Sequence, residues 1–235
     1  MLITVSVLAP GVWVIESETG RNTGLVARPE GAMLINPMGS EDEHSAVEQI
    51  LAEAGRAVTS IIFTHSPQED APSLAGWPAV PRLGLNELAG SMELVEGWEA
   101  LTFGRPDVSA ALLYGRQKQV IFSGGMMSGD AIPTLAGGSQ GYSDALERVQ
   151  DVGARFIVPS QGTVARGEQE AGRRIESDLS YIYSLRRHVI TSIVAAVPMS
   201  RALAVAEAIY EDYPFVQTHV ENMRYVWEEL SERGE

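Results

Sequence analysis

The sequence contains no cysteine, which excludes both a disulfide framework and any zinc or iron–sulfur site built on thiolates. Histidine is also scarce, since the chain of 235 residues holds only His44, His65, His188 and His219. A dinuclear hydrolytic site needs several imidazoles and carboxylates that converge on two ions roughly 3.5–4 Å apart. Four histidines spread this widely along the chain argue against such a centre.

Basic residues are few, because 17 Lys and Arg stand against 31 Asp and Glu, for a formal net charge of −14 at pH 7. An acidic surface repels phosphate backbones and anionic lipid at long range. Long apolar runs are missing too, since Pro198 and Arg201 interrupt the most apolar late segment. We therefore expect neither a nucleic acid nor a membrane partner. No basic leader precedes the first predicted strand, which favours a cytoplasmic protein.

The first third of the chain is typical of strands joined by turns. Short β-rich segments are predicted at Leu2–Leu8, Val12–Glu16, Gly24–Ala27 and Ala32–Asn36. A helix capped by Ser40 and ended by Gly55 follows, and then a strand at Ala57–Thr64. This order predicts a βαβ unit with a parallel strand pair. Ligands usually bind beyond the carboxyl ends of such strands, which places His65 where a functional residue would lie.

The second half alternates strands and helices less regularly. Strands are predicted at Ser91–Val95, Ala110–Tyr114, Gln119–Ser123 and Arg155–Pro159, with helices at Asp144–Val152 and Gly167–His188. The charged face of the last helix is expected to be solvated, and the pair Met126-Met127 to fill gaps in a core. From about Thr191 the pattern is helical, in two segments that separate near Pro214.

Five short segments along the chain then form a recognisable series. They are Asn36-Pro37, Thr64-His65-Ser66, Phe103-Gly104-Arg105, Phe122-Ser123-Gly124-Gly125 and Val158-Pro159-Ser160-Gln161-Gly162. In order and in their position relative to strands, they resemble the landmarks of the metallo-β-lactamase superfamily: Asp-Pro, Thr-His-x-His-x-Asp-His, Pro-Gly-His, Thr-Gly-Asp and Pro-x-His-Gly. The resemblance implies an α/β protein with a four-layer αββα sandwich over residues 1–188. Residues 189–235 are then expected to form a C-terminal helical tail on the core or on a second subunit.

The residues that would bind metal in that family are nearly all different here. His65 matches, but Pro67, Glu69 and Asp70 stand where the next ligands of the first motif would be. The remaining ligand positions carry Arg105, Gly125 and Gln161, which would line a vestigial pocket without a metal or other cofactor.

Two hypotheses about this altered pocket remain open. A single iron, manganese or zinc ion held by His65, Glu69 and Asp70 is one alternative. In the other, the guanidinium of Arg105 points into the pocket and neutralises the two carboxylates as the cation would. A surface position for Arg105 is equally compatible with the sequence.

These departures favour a non-catalytic relative of the hydrolases, a pseudoenzyme that binds a small molecule or a protein partner. The alternative is a divergent hydrolase with one metal or none, in which His65 acts as base or ligand and Glu69 or Asp70 orients it. A third possibility is an unrelated α/β protein whose motifs match by accident. A homodimer is expected through the apolar stripe of the tail, which comprises Val205, Ile209, Phe215, Val216, Val220, Met223, Val226, Trp227 and Leu230.

Overall fold

The computed structural model describes residues 2–64, 76–84, 93–95, 97–105, 108–129, 131–135, 138–209 and 214–232, and the main chain alone at 93–95, 103–105, 108–110 and 152. Within these ranges the chain forms twelve strands and five helices. No helix in the described ranges has both the length and the apolar character needed to cross a membrane.

The first sheet is built from the N-terminal strands. It contains β1 (Ile3–Ala9), β2 (Val12–Ser17), β3 (Asn22–Arg28), β4 (Gly31–Ile35), β5 (Val58–Ile62) and β6 (Arg82–Leu83), in that order across the sheet. The first four strands are antiparallel, whereas β4, β5 and β6 are parallel. The parallel pairing of β4 with β5 around the intervening helix confirms the predicted βαβ unit.

The second sheet repeats this arrangement with the later strands. It contains β7 (Glu93–Val95), β8 (Trp98–Arg105), β9 (Val108–Gly115), β10 (Val120–Gly124), β11 (Phe156–Pro159) and β12 (Ala165–Arg166). The order across the sheet is β12-β11-β10-β9-β8-β7, and only β10 and β11 run parallel. Each sheet therefore has a parallel strand pair whose carboxyl ends can hold a site.

Helices cover the outer face of each sheet. They are α1 (Glu41–Glu53), α2 (Ser139–Val152), α3 (Glu168–Val194), α4 (Met199–Ile209) and α5 (Val216–Glu232). One apolar cluster joins the inner faces of the two sheets, a second joins the first sheet to α1, and a third joins the second sheet to the other four helices. The predicted αββα sandwich with C-terminal helices is confirmed.

The two sheets pack closely around an aromatic contact. Trp98 of β8 stacks on Phe122 of β10, with 5.6 Å between ring centroids. A Cβ atom on Gly24 of β3 would lie 2.2 Å from Phe122 Cε1, so a larger residue at this position would push the sheets apart. The glycine in β3 thus sets how near the first sheet lies to the second.

The start of α1 is capped as predicted. The hydroxyl of Ser40 accepts the N–H of Glu43 at 3.1 Å. The carboxylate of Glu43, itself fully buried, accepts the N–H of Met38 at 2.8 Å, the N–H of Gly39 and the hydroxyl of Thr23. The buried carboxylate joins the cap of the helix to β3 and to the loop after β4.

The C-terminal helices pack onto the same chain. Met223, Val226 and Leu230 are fully buried against α2, α3 and the second sheet. The carboxylate of Glu229 accepts the N–H of Ser139 at 2.7 Å and so caps α2 from the tail. Much of the predicted apolar stripe is therefore covered without a second subunit, while Val205 and Ile209 stay 47% and 68% exposed. The predicted boundary after residue 188 falls within α3, and the division into 1–188 and 189–235 stays a prediction.

Three sequence-based expectations about single segments have clear outcomes. The landmark Phe103-Gly104-Arg105 resembles a Pro-Gly-His segment, which has the composition of a turn, but here it is the end of β8 and pairs with Val108–Ala110 of β9. The charged face of α3 is only partly solvated, because Arg174 and Asp178 are buried. Met126 and Met127 lie in the core, as predicted.

Candidate functional site

The carboxyl ends of β4 and β5 are joined by a pair of side-chain hydrogen bonds. The amide of Asn36 donates from Nδ2 to Thr64 Oγ1 at 2.8 Å, and its Oδ1 accepts the N–H of Thr64 at 2.9 Å. Both residues are buried, and Asn36 adopts a positive φ of 50°, which asparagine tolerates better than most residues. The residue that immediately precedes His65 is therefore held in a fixed position.

The second sheet meets this pair at Gly124, the last residue of β10. A Cβ atom here would lie 2.6 Å from Thr64 Oγ1, and the φ of Gly124 is +59°. The carbonyl of Thr64 accepts the N–H of Ala111 in β9 at 2.9 Å, and the carbonyl of Gly124 accepts the N–H of Ser160 at 2.6 Å. The ends of β4, β5, β10 and β11 thus converge at one edge of the sandwich.

A buried asparagine fixes the loop after β11. The side chain of Asn22 donates from Nδ2 to the carbonyls of Pro159 and Gly162, each at 2.8 Å. Its main-chain N–H donates to the carbonyl of Ser160 at 2.9 Å. Gln161 lies in the middle of this loop and forms a main-chain bridge with Arg21. Asn22 has no local signal in the sequence, because the partners of its side chain lie 137 and 140 residues further along the chain.

A buried arginine ties the loop after β10 to the loop after β11. The guanidinium of Arg174 donates from Nη1 to the carbonyls of Met127 (3.2 Å), Ser128 (3.0 Å) and Thr163 (2.6 Å). Its Nη2 donates to Thr163 Oγ1 at 2.9 Å and to Glu170 Oε1 at 2.6 Å. The N–H of Arg166 and then the guanidinium of Arg174 lower the pKa of Glu170.

Asp178 lies four residues after Arg174 on α3, and its carboxyl group is buried. Tyr142 donates its hydroxyl hydrogen to Asp178 Oδ2 at 2.6 Å. Burial raises the pKa of Asp178 to about 6, although the hydrogen bond from Tyr142 and the charge of Arg174 act in the opposite direction. Arg174 and Asp178 face the core from α3 and support the site loops from beneath.

Two of the predicted vestigial-pocket residues lie together at this edge. Gly125 and Gln161 are both exposed, and they directly follow Gly124 and Ser160, which are hydrogen-bonded to each other. A Cβ atom on Gly125 would meet none of the described residues within 4 Å, so in the described part of the structure open space adjoins this position. Arg105 is the last residue of β8, where the structure describes only its main chain. His65, Glu69 and Asp70 lie outside the described residues. The predicted pairing of Arg105 with the two carboxylates stays a prediction.

The sequence and the fold were compared with those of known proteins. No protein-family model matches the sequence, and no curated protein matches it. Solved structures do match: a metallo-β-lactamase from Hirschia baltica (16% identity, TM-score 0.57), one from Pontibacter korlensis (19%, 0.53) and one from Erythrobacter litoralis in its mono-zinc form (17%, 0.52). The matches cover 76–77% of this chain and 97–99% of each of these three. The chain has the metallo-β-lactamase fold.

Within the metallo-β-lactamase fold, the described residues at the strand ends do not supply the ligands of a dinuclear zinc centre. Gly125 has no side chain, and Gln161 offers an amide in place of an imidazole. His44 lies in α1 with its ring 4.8 Å from that of Trp77, while His188 and His219 lie in the helical layer, so at most His65 is left for the site. In the part of the chain that the structure describes, no three His, Asp or Glu side chains converge as a metal requires.

Proposed function

We propose that this protein is a non-catalytic metallo-β-lactamase-fold protein that has lost the dinuclear zinc site and acts by binding, as a pseudoenzyme or scaffold. The observation that carries the proposal is the exposed edge at Gly125 and Gln161, where two of the family landmarks meet and, among the described residues, supply no metal-ligating side chain.

The hydrogen bonds around this edge support a binding role. Asn22, Asn36 and Arg174 hold the loops that end β4, β10 and β11, through contacts that do not involve a metal. A site held in place by buried polar side chains is preorganised, which lowers the entropic cost of binding a ligand. The occupant of this edge is either a small molecule or a protein partner.

Metal analysis tests the proposal directly. Untagged protein purified without chelator is examined by mass spectrometry for bound metal, before and after incubation with zinc, manganese and iron. We expect far less than one ion per chain under every condition, because Gly125 and Gln161 supply neither an imidazole nor a carboxylate at two of the family's ligand positions.

The His65→Ala variant and a matched His188→Ala variant identify any ion that does bind. Both substitutions remove one imidazole, but His188 lies on an exposed helical surface away from the strand ends. Near-stoichiometric metal that is lost in His65→Ala and kept in His188→Ala would refute the proposal that this site binds no metal.

A divergent hydrolase is the second candidate, and the fixed position of Thr64 favours it. Two hydrogen bonds between Asn36 and Thr64 hold the residue that precedes His65, and the ordinary pKa of histidine suits general-base catalysis. Screening with activated esters would support this candidate if His65→Ala abolished a turnover that chelator left intact. Absence of turnover in the wild-type protein would leave the non-catalytic proposal in place.

A further inference from the structure

The helical layer contains a cavity remote from the strand-end edge. It lies between α3, α4 and α5, with a volume of about 380 Å³, within the ~300–1,000 Å³ that ligand pockets usually have. Its apolar wall consists of Leu185, Val205, Ala206, Ile209 and Met223. The cavity exists because α5 packs against both α3 and α4 and leaves a space between those two helices.

The polar wall of this cavity includes His219, which a chain of hydrogen bonds joins to a buried asparagine. The amide of the fully buried Asn222 has one possible orientation, because Oδ1 accepts the N–H of Leu135 (2.8 Å) while Nδ2 donates to the carbonyl of Pro133 (2.7 Å). Nδ2 also donates to the hydroxyl of Tyr181 at 3.0 Å. The same hydroxyl is hydrogen-bonded to Nδ1 of His219 at 3.2 Å.

His219 contributes a neutral polar group to the cavity wall. Burial, and after it the neighbouring His188, lower the pKa of His219 and so favour the neutral ring. A neutral imidazole carries one donor and one acceptor nitrogen, so His219 can pair with a polar atom of a molecule bound beside the apolar side chains.

A second, more open hollow of about 470 Å³ adjoins the cavity. Ser184 and His188 line both spaces, and Arg187 lines the second. The surrounding sequence is unusual for this chain, because the segment from Leu179 to Ala206 contains no Asp or Glu, although the chain carries 31 of them. The segment does contain Arg186, Arg187 and Arg201, so its own charge is positive within an acidic protein.

We propose that this cavity binds a small carboxylic acid with an apolar body. The body lies among the apolar side chains between the three helices, and the carboxylate lies at the junction of the two hollows, near Ser184, Arg187 and His188. The guanidinium and the hydroxyl supply donors to the carboxylate oxygens, as anion recognition requires. The site is separate from the strand-end edge and does not depend on whether that edge binds metal.

Isothermal titration calorimetry with decanoate, below its micelle concentration, tests the proposal, and decanol is the uncharged comparison of equal chain length. We expect decanoate to bind and decanol to bind at least several-fold more weakly. Arg187→Gln should weaken decanoate binding about fivefold, since an exposed charge pair contributes up to about 1 kcal/mol. The matched Arg201→Gln variant removes the same charge from exposed α4, outside the cavity lining, and should bind as the wild type does.

A cavity-filling variant distinguishes this site from any other. Val205 is half exposed, so Val205→Trp can be accommodated on folding and should abolish binding of both compounds. The proposal is overturned if decanoate does not bind at millimolar concentration, if decanol binds equally well, if both arginine variants behave alike, or if Val205→Trp still binds. His65→Ala should leave decanoate binding unchanged, which separates this proposal from the fate of the strand-end edge.

Discussion

Removing the buried guanidinium of Arg174 should destabilise the protein strongly. The substitution Arg174→Met keeps an aliphatic side chain but leaves the carbonyls of Met127, Ser128 and Thr163 without their donor. A buried polar group that loses its partner costs about 1–3 kcal/mol, and breaking a buried charge pair costs about 3–5 kcal/mol. Because water can reach some of these carbonyls, we expect a total loss of about 3–5 kcal/mol.

Urea unfolding followed by circular dichroism measures this loss. For a chain of this length a loss of this size lowers the melting temperature by roughly 10 °C. The matched control is Arg173→Met, which makes the same change at an exposed position on the same helix and should cost less than about 0.5 kcal/mol. If the two variants differ by less than about 1 kcal/mol, the assigned role of Arg174 is wrong.

Amide hydrogen exchange shows whether the loss is located at the site loops. The N–H of Met126 donates to Ser123, and the N–H of Gly162 donates to Gly20. Both amides should exchange faster in Arg174→Met than in Arg173→Met, because Arg174 no longer holds the two loops together. Equal rates in the two variants would mean that the loops are fixed by other contacts.

Three further predictions follow from the fold. Gly124→Ala should lower the free energy of unfolding by about 2–4 kcal/mol, because Gly124 has a positive φ and lies close to Thr64. Gly125→Ala should be nearly neutral in the same denaturation assay. Equal losses in the two variants would contradict the close approach of Gly124 to Thr64. Since burial raises the pKa of Asp178 to about 6, the folded protein keeps this proton at pH values where the unfolded chain has lost it, and stability falls as the pH rises through this window. Asp178→Asn should reduce the fall in unfolding free energy between about pH 4 and 7 by up to about 3 kcal/mol, and an unchanged pH dependence would refute the assignment. If a second copy covers the exposed end of α4, light scattering should give twice the chain mass and Ile209→Glu should give the monomer; a monomeric wild type excludes the dimer.

Local signals in the sequence were sufficient for much of the first sheet. The strands before and after α1 have short β-rich segments bounded by turn residues, and Ser40 marks the helix start. The parallel pairing then follows from the strand–helix–strand order alone. The structure brings Thr64, Gly124 and Ser160 to one edge of the sandwich, whereas the predicted grouping of His65, Glu69, Asp70 and Arg105 with them stays a prediction.

The missed features depend on partners that are distant in sequence. Gly104 and Arg105 have the composition of a turn, but pairing along the whole of β9 extends β8 through them. Arg174 and Asp178 lie on a helix most of whose other charged residues are exposed, and nothing local distinguishes a buried charge from an exposed one. Their burial follows from Tyr142 and from loops 11 to 47 residues away, which no helical periodicity can reveal.

Open space beside Gly125, within the part of the chain that the structure describes, makes this position a starting point for engineering. A Cβ atom there meets none of the described atoms within 4 Å, and Arg174 holds the loop through contacts that involve no metal. Gly125→Asp combined with Gln161→His would place a carboxylate and an imidazole on an existing framework. Ligands could then be installed one at a time, with the affinity for zinc and the stability of the fold measured at each step.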